Sequence, residues 1–328
     1  MVKRRLKATI RRLAGSVLRR SGIVCLNYHR IGDGRASPFD RGLWSATADG
    51  FDRQLGWLEA NFDVVSPGDL PEVLRARRGR HVIVTFDDGY LDNFTVAYPI
   101  LRAHRLTASF FVATGFIDDG WRLPPWDEIA WMVRTGGTSA VALPGFLPDA
   151  VEYDEPDRER AIRVLRARYR DLSGENAERF LAALGEATGT GRHARKGSER
   201  LWMTWDMVRE MRGGGMTLGG HTVNHPMLSR LSRQDQWKEI GGCGRRLAEE
   251  LGEPMRVFAY PFGKPGSFNA DTRACLEEAG VRTAFTYHGG FARIDDWDAY
   301  GVPRSAIEQD TTFDEFRAEV MAPWLMSG

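Results

Sequence analysis

Short apolar runs alternate with amphipathic helical patterns from residue 22 onward. Residues 23–26, 82–86 and 108–112 each form such a run, which is typical of a strand buried on both faces. Between them, apolar residues recur at helical spacing, as in residues 51–62. Strands separated by helices imply parallel pairing with crossover connections. About seven or eight such repeats fit a closed or nearly closed barrel better than an open sheet, so the pattern predicts an α/β fold.

This alternation breaks between about residues 118 and 200. The stretch contains Pro124-Pro125, a charged helical pattern around residues 157–170, and a segment near 189–200 rich in Gly, His and basic residues. We interpret it as a helical insertion at about 118–200 within one domain that spans residues 22–328. Such an insertion would cover one rim of a functional site in this domain.

The first twenty residues differ from the rest because they carry eight basic and no acidic side chains, while the whole chain has a net charge of +1. Apolar residues recur there at helical spacing, so residues 1–21 are predicted to form a basic amphipathic helix. Residues 1–20 would suit the surface of an anionic membrane, and packing against the domain is an equally compatible alternative. Nothing downstream resembles a base-reading module, so no nucleic-acid partner is expected.

Compartment and redox context follow from what the sequence lacks. No apolar run reaches the length of a membrane-spanning helix, and arginines interrupt the start, so no secretory h-region forms. The three cysteines show no close pairing motif, which argues against a disulfide framework or a zinc–thiolate site. We therefore expect a cytoplasmic protein, located at the inner membrane surface if the N-terminal helix binds lipid.

Adjacent carboxylates, Asp87 and Asp88, follow the predicted strand at 82–86. In parallel α/β folds the carboxyl ends of the strands converge, and active sites form there. Neighbouring residues on an extended chain point in opposite directions, so a turn at Gly89 is needed to aim both carboxylates into one cavity. The alternative is an Asp-Asp-Gly turn that only caps the next helix.

Two histidines four residues apart, His221 and His225, follow another predicted strand. Imidazoles at this spacing reach one ion from a helical turn or a tight loop, and Pro226 favours the loop. Alone, the pair is as compatible with coincidence as with a site. Two imidazoles and one carboxylate complete the protein ligands of a catalytic zinc and leave a position for water. The second carboxylate then remains to act as a base.

At these motifs the sequence resembles the polysaccharide deacetylase family, the NodB-homology enzymes of carbohydrate esterase family 4. The resemblance runs from about residue 23 to 307 and implies a distorted (β/α) barrel of about seven parallel strands. Residues 85–89 match the first family motif, which implies Asp87 as catalytic base and Asp88 as metal ligand. Residues 221–225 match the second, which implies that His221 and His225 bind the metal. Zinc is the expected ion, with cobalt or nickel as alternatives.

Four consecutive residues resemble a third motif of the family: Tyr260, Pro261, Phe262 and Gly263. The resemblance implies that they form one wall of the substrate groove. It also implies that the backbone N–H of Phe262 helps to hold the oxyanion.

The sequence departs from the family pattern at two places. Ala259 occupies the place of the arginine that usually orients the base, and we predict Arg304 as its substitute. The usual late motif with the general acid is not seen near the C-terminus. Residues 26–29 resemble it instead, as in the circularly permuted branch of the family, and this implies His29 as the acid. His288, which also follows a predicted strand, is the rival candidate.

The resemblance implies a metal-dependent hydrolase that removes N-acetyl groups from an amino-sugar glycan. An O-acetyl esterase or a small-amide hydrolase would use the same site, and a non-catalytic glycan-binding barrel is a further alternative. A cytoplasmic enzyme cannot easily reach finished cell-wall polymer. The expected substrate is therefore an N-acetylated glycan precursor, such as a lipid-linked oligosaccharide.

Overall fold

A computed structural model describes residues 22–153, 158–172, 174–194 and 200–323. The basic helix expected over residues 1–21 lies outside these described residues. The chain divides into two compact units. The first combines the described parts of Met1–Gly32, Trp44–Ile117 and Met203–Gly328, and the second combines those of Asp33–Leu43 and Asp118–Trp202.

The strands of the described chain are mostly short. In chain order they are β1 (Gly22–Tyr28), β2 (Arg30–Ile31), β3 (Trp44–Ala46), β4 (Asp63–Val64), β5 (Arg80–Phe86), β6 (Ser109–Val112), β7 (Ala140–Val141), β8 (Val151–Glu152), β9 (Thr217–Gly220), β10 (Val257–Ala259), β11 (Thr283–Phe285), β12 (Phe291–Arg293) and β13 (Ser305–Ala306). The two longest, β1 and β5, lie side by side and pair in parallel over their full length.

The main sheet of the first unit runs in the order β11-β10-β9-β6-β5-β1-β12, with β13 also on β1 and β4 on β5. Its pairings are parallel except that of β12 with β1. Phe285 at the end of β11 bridges Val302 in parallel, and Ser305 pairs with Leu26 of β1. Residues 302–306 thus connect the two ends of the series β1, β5, β6, β9, β10 and β11. The expected distorted (β/α) barrel of parallel strands is confirmed.

Helices connect most of the parallel strands of the main sheet. In chain order they are α1 (Ala48–Asn61), α2 (Leu70–Ala76), α3 (Tyr98–His104), α4 (Thr114–Asp118), α5 (Pro125–Thr135), α6 (Arg158–Arg170), α7 (Gly174–Thr188), α8 (Trp205–Gly213), α9 (Arg233–Leu251), α10 (Ala270–Glu278) and α11 (Phe313–Met321). Side-chain caps define several starts; for example, Ser232 accepts a hydrogen bond from the backbone N–H of Asp235 at the start of α9. Of the helices that the structure describes, none is long and apolar enough to cross a bilayer.

Alternate residues of the long strands share one apolar cluster inside the first unit. Ile23 and Cys25 of β1 and Ile83 of β5 belong to it. Side chains on a strand alternate between its two faces, so Asn27 and Thr85 occupy the next positions on the same face. Both are fully buried polar residues. The interior of the barrel therefore changes from apolar to polar near the carboxyl ends of β1 and β5.

The second unit has a core of its own. Its apolar cluster includes Ile129 of α5, Leu165 of α6 and Phe180 of α7. β7 and β8 pair antiparallel within this unit. The unit contains the region interpreted as a helical insertion, together with Asp33–Leu43, a segment that the sequence does not mark.

Candidate active site

The two predicted clusters lie at the carboxyl ends of β5 and β9, with β6 between them. Asp87 directly follows β5 and stays on the inward face that includes Thr85. Asp88 has a left-handed backbone conformation (φ 73°), as does Gly89 (φ 92°). Non-glycine residues rarely adopt this conformation, and it reverses the direction in which the side chain leaves the strand. The turn therefore begins one residue earlier than the glycine at which the sequence predicts it.

Asp88, His221 and His225 come together as a group with the geometry of a metal site. Their potential ligand atoms all lie within 4.8 Å of one another. Oδ1 of Asp88 lies 3.5 Å from Nε2 of His221 and 3.5 Å from Nε2 of His225. Atoms bound at about 2.0–2.1 Å to one tetrahedral zinc lie roughly 3.4 Å apart. The residues present thus fit a divalent ion of that size.

Burial favours the neutral form of both imidazoles. Nδ1 of His221 lies 2.7 Å from the carbonyl oxygen of Ala259, so Nδ1–H donates there and Nε2 is left with its lone pair toward Asp88. Burial lowers the pKa of His221. Burial and the neighbouring His221 hold the pKa of His225 well below its usual range. Neutral imidazole is the form that binds a metal.

The histidine loop is held in an unusual backbone conformation. Thr222 (φ 67°) and His225 (φ 57°) are both left-handed. The hydroxyl of Thr222 accepts a 2.9 Å hydrogen bond from the backbone N–H of His225. Glu239 of α9 accepts hydrogen bonds of 2.9 and 2.8 Å from the backbone N–H groups of Val223 and Asn224. Such strain persists only where surrounding contacts hold it, and it clusters at functional sites.

Arg304 lies beside Asp87, as predicted for a substitute of the missing arginine. Its guanidinium donates hydrogen bonds of 2.7 Å to Oδ1 and 2.7 Å to Oδ2 of Asp87. It also donates to the side-chain oxygen of Asn27 at 2.9 Å and to the hydroxyl of Thr85 at 3.1 Å. Nε donates to the carbonyl of Thr286 at 2.8 Å. Residues 302–306 bring this side chain into the barrel, where it is 1% exposed.

The surroundings of Asp87 favour its ionised form. Burial alone would raise the pKa of this carboxyl, but the charge of Arg304 and the hydrogen bonds from its guanidinium hold the pKa well below its usual range. Asn27 adds a 3.3 Å hydrogen bond from its amide to Oδ2. A buried carboxylate with a paired guanidinium keeps its charge at neutral pH. Asp87 is therefore available as a proton acceptor next to the Asp88 group.

His29 lies directly after β1, at the same end of the barrel. Its backbone is held on both sides, because its N–H donates to the hydroxyl of Ser45 at 3.0 Å and its carbonyl accepts from the amide of Asn93 at 2.7 Å. Its ring packs edge-on against Tyr287, with centroids 5.8 Å apart. The charge of a protonated His29 would lower the pKa of Asp87 further. The two groups therefore share one site.

The third motif follows β10. Phe262 is left-handed (φ 62°), and its ring lies 5.2 Å from that of His225. Pro261 is buried, and its carbonyl accepts a 2.7 Å hydrogen bond from the N–H of Gly263. The side chain of Tyr260 is buried, stacks on Phe268, and donates to the carbonyl of Tyr300. Tyr260 thus supports this loop from behind, while Phe262 borders the Asp88, His221 and His225 group.

The rival acid, His288, is exposed, and its Nδ1 lies 3.1 Å from the carbonyl oxygen of Gly263. It thus contacts the third motif, whereas His29 contacts Tyr287. Asn27 and Thr85 lie within sequence motifs that assign them no role, and Glu239 lies outside these motifs. Period-two alternation along β1 and β5 would have identified the first two.

The sequence profile of the polysaccharide deacetylase family matches residues 75–142 and 172–284, more than half of the chain. The poly-beta-1,6-N-acetyl-D-glucosamine N-deacetylase of Escherichia coli (strain K12) is 28% identical over 315 residues, which are 92% of this chain and 39% of that protein. YxkH of Bacillus subtilis (strain 168) is 19% identical over 274 residues, 82% of this chain and 68% of that protein.

Solved structures share the fold. The deacetylase PplD of Streptococcus pyogenes, in complex with acetate, superposes with a TM-score of 0.59 at 19% identity, covering 91% of this chain and 97% of that one. IcaB from Ammonifex degensii gives 0.55 at 21% identity, covering 92% and 96%. With the matched profile and the three motifs at one end of one barrel, the chain belongs to the polysaccharide deacetylase family.

Proposed function

We propose that this protein is a metal-dependent hydrolase that removes N-acetyl groups from an amino-sugar glycan. The observation that carries the proposal is the pair of adjacent carboxylates with separate partners. Asp88 lies 3.5 Å from each of two neutral histidines, and Asp87 is held by both nitrogens of a buried guanidinium. Asp88 thus fits the role of a metal ligand and Asp87 the role of a general base. A metal ion and a base together activate water for attack on an amide.

Asp88, His221 and His225 would hold the ion, which we propose to be zinc, with cobalt or nickel as alternatives. When bound, the ion supplies a Lewis acid for the acetyl carbonyl and lowers the pKa of water from about 15.7 to roughly 7. Asp87 accepts the proton of the attacking water, whose oxygen bonds to the carbonyl carbon. The Phe262 backbone N–H donates to the oxyanion that develops; such a preorganised donor contributes roughly 3–4 kcal/mol.

The amine leaves once its nitrogen gains a proton, which His29 donates as the C–N bond breaks. The products are acetate and a free amino sugar. Arg304 keeps Asp87 ionised and fixed in orientation, but does not touch the substrate in this scheme. The substrate class rests on the Escherichia coli relative, whose name specifies an N-acetylglucosamine polymer. The chain spans only 39% of that protein. The glycan substrate is therefore proposed for this chain and is not transferred from the relative as a finding.

The test is acetate release from N-acetylglucosamine oligomers by the purified protein, before and after chelation and after addition of zinc, cobalt or nickel. We expect acetate that disappears with the chelator and returns with metal. His225→Ala should abolish both metal binding and acetate release. His104→Ala is the matched control, because the ring of His104 hydrogen-bonds to Glu59 and Asp52 near the protein surface, apart from the Asp88, His221 and His225 group.

Two outcomes would contradict the proposal. Hydrolysis of O-acetyl esters without release from the oligomers would identify an esterase. A folded, metal-loaded protein that releases no acetate from either substrate, yet binds the oligomers, would identify a glycan-binding barrel.

A further inference from the structure

Tyr287 lies between the candidate acid and the third motif, and no step of the proposed reaction uses it. It follows β11 and reaches the site as one of the residues at the carboxyl end of the barrel. Its ring packs edge-on against the His29 imidazole, with the ring planes at 72°. Its backbone N–H donates a 2.8 Å hydrogen bond to the carbonyl of Gly263.

Gly263 allows this close approach. A Cβ built on Gly263 would lie 2.5 Å from the backbone nitrogen of Tyr287 and 2.7 Å from its Cβ, and Gly263 has a φ of 55°. Real Cβ atoms do not approach backbone so closely, so a side chain at position 263 would displace Tyr287. The glycine of the third motif therefore permits Tyr287 to lie directly against this loop.

The hydroxyl of Tyr287 is the unused polar group at this place. Within the described residues it has no hydrogen-bond partner in the protein, although most of the side chain is covered. Other tyrosines of the barrel contrast with it, because Tyr28 donates to Gln54, Tyr260 to the Tyr300 carbonyl and Tyr300 to the Val281 carbonyl. The hydroxyl is not among the buried polar atoms without a partner, so it reaches the accessible surface beside the third motif, where a ligand can bond to it.

The charges around the phenol indicate which role the hydroxyl plays. Burial raises the pKa of Tyr287, and the negative charges of Glu308, Asp87 and Asp88 raise it further. The Tyr287 phenol therefore stays a neutral hydrogen-bond donor at physiological pH, within reach of the charges of Asp87 and Asp88. A sugar offers hydroxyl and ring oxygens as acceptors beside the acetamido group, whereas a small acetyl ester offers no such acceptors.

We propose that Tyr287 is a specificity-determining residue, whose hydroxyl donates a hydrogen bond to the sugar that carries the scissile acetamido group. Its ring at the same time limits the rotation of His29. The inference rests on the proposed glycan deacetylation. It goes beyond it by assigning the recognition of the sugar, as distinct from the acetyl group, to this side chain.

The test compares Tyr287→Phe with wild type on N-acetylglucosamine oligomers and on 4-nitrophenyl acetate, which has an acetyl group but no sugar. One hydrogen bond contributes about 0.5–1.5 kcal/mol, so we expect KM for the oligomers to rise about 3–10-fold, with a smaller change in kcat. The change in kcat/KM on the ester should be clearly smaller. Tyr300→Phe is the matched control, because it removes a hydroxyl that is bonded to the Val281 carbonyl and keeps the backbone carbonyl to which Tyr260 donates.

A second variant separates the ring from the hydroxyl. Tyr287→Ala should repeat the rise in KM and also lower kcat on the oligomers, because the contact with His29 is lost. Equal losses of Tyr287→Phe on both substrates, or no loss on the oligomers, would overturn the inference. Failure of the proposed function has a different signature: wild type itself would release no acetate from the oligomers while metal binding remains intact. Metal content and thermal unfolding of each variant show whether it is folded.

Discussion

The Arg304 guanidinium donates two hydrogen bonds of 2.7 Å, one to each carboxylate oxygen of Asp87, which lies 217 positions earlier in the chain. This two-point contact is specific to a planar fork, because a lysine ammonium is a single point charge. Segment 302–306 brings the fork into the barrel by pairing with β11 on one side and β1 on the other. The barrel closure and the orientation of the candidate base therefore depend on the same few residues.

Replacing Arg304 should change the pH dependence of the reaction. Arg304 lowers the pKa of Asp87, and Asp87 must be ionised to accept a proton, so its loss moves the acid limb of kcat/KM to higher pH. Arg304→Lys should shift the limb less than Arg304→Met, because it keeps the charge. Arg304→Met should also lose about 3–5 kcal/mol of unfolding free energy, since a buried carboxylate loses its partner. Identical acid limbs in wild type and Arg304→Met would contradict this electrostatic role.

Asp87 and Asp88 form a matched pair of neighbours with different expected roles. Asp87→Asn should retain metal and lose about 10²–10⁴-fold in kcat, because an amide cannot accept the proton. Asp88→Asn should lose metal and activity together. Metal analysis of the dialysed proteins and acetate release provide the two measurements. Near wild-type turnover in Asp87→Asn, or full metal content in Asp88→Asn, would refute the corresponding assignment.

The sequence predicts these roles better than it predicts how they are held in place. Asp87, Asp88, His221 and His225 follow recognisable runs of strand residues, so local pattern locates them and their motifs. The left-handed conformation of Asp88 is different, because the residue type alone does not favour it. It depends on contacts that sequence spacing does not reveal, such as the hydrogen bond from Ala113 N–H to the Asp88 carbonyl.

The supporting residues were missed for a related reason. Asn27 bonds to Asp87 and Arg304 across two strands. Glu239 of α9 holds the histidine loop by accepting hydrogen bonds from Val223 and Asn224, which lie 16 and 15 positions earlier in the chain. Such pairings depend on strand order and helix packing. The second unit shows the same limit, since Asp33–Leu43 joins it from far along the chain. The backbone N–H of Asp40 donates there to the carboxylate of Asp127 at 2.9 Å.

Metal removal should lower the stability of the wild-type protein. An ion that binds only the folded state stabilises it by about 2.7 kcal/mol at a free concentration of 100 Kd. Wild type and His104→Ala should therefore each unfold at a higher temperature with zinc than with chelator. The two curves should coincide for His225→Ala. A zinc-dependent shift that persists in His225→Ala would place the binding site elsewhere.

We propose that the basic segment 1–20 binds the surface of an anionic membrane, which can be tested separately from the enzyme reaction. Near an anionic membrane each Lys or Arg contributes about 1 kcal/mol, and the segment has eight such residues. The full chain should sediment with vesicles that contain phosphatidylserine, and a chain lacking residues 1–20 should not. High salt should weaken the binding, and neutral vesicles are the control. Equal sedimentation of both chains would remove the segment as a membrane anchor.

His29 and His288 can be compared directly as candidates for the general acid. An amine needs a proton to leave, whereas the 4-nitrophenolate of an activated ester does not. His29→Ala should therefore lose about 10²–10⁴-fold in kcat on the oligomer amide and much less on 4-nitrophenyl acetate, with metal content retained. His288→Ala should leave the ratio of the two rates close to that of wild type, because its ring contacts the Gly263 carbonyl on the exposed rim. If His288→Ala selectively loses the amide reaction and His29→Ala does not, the two assignments must be exchanged. If both variants lose the two reactions equally, neither residue is the acid, and both histidines act only by supporting the groove.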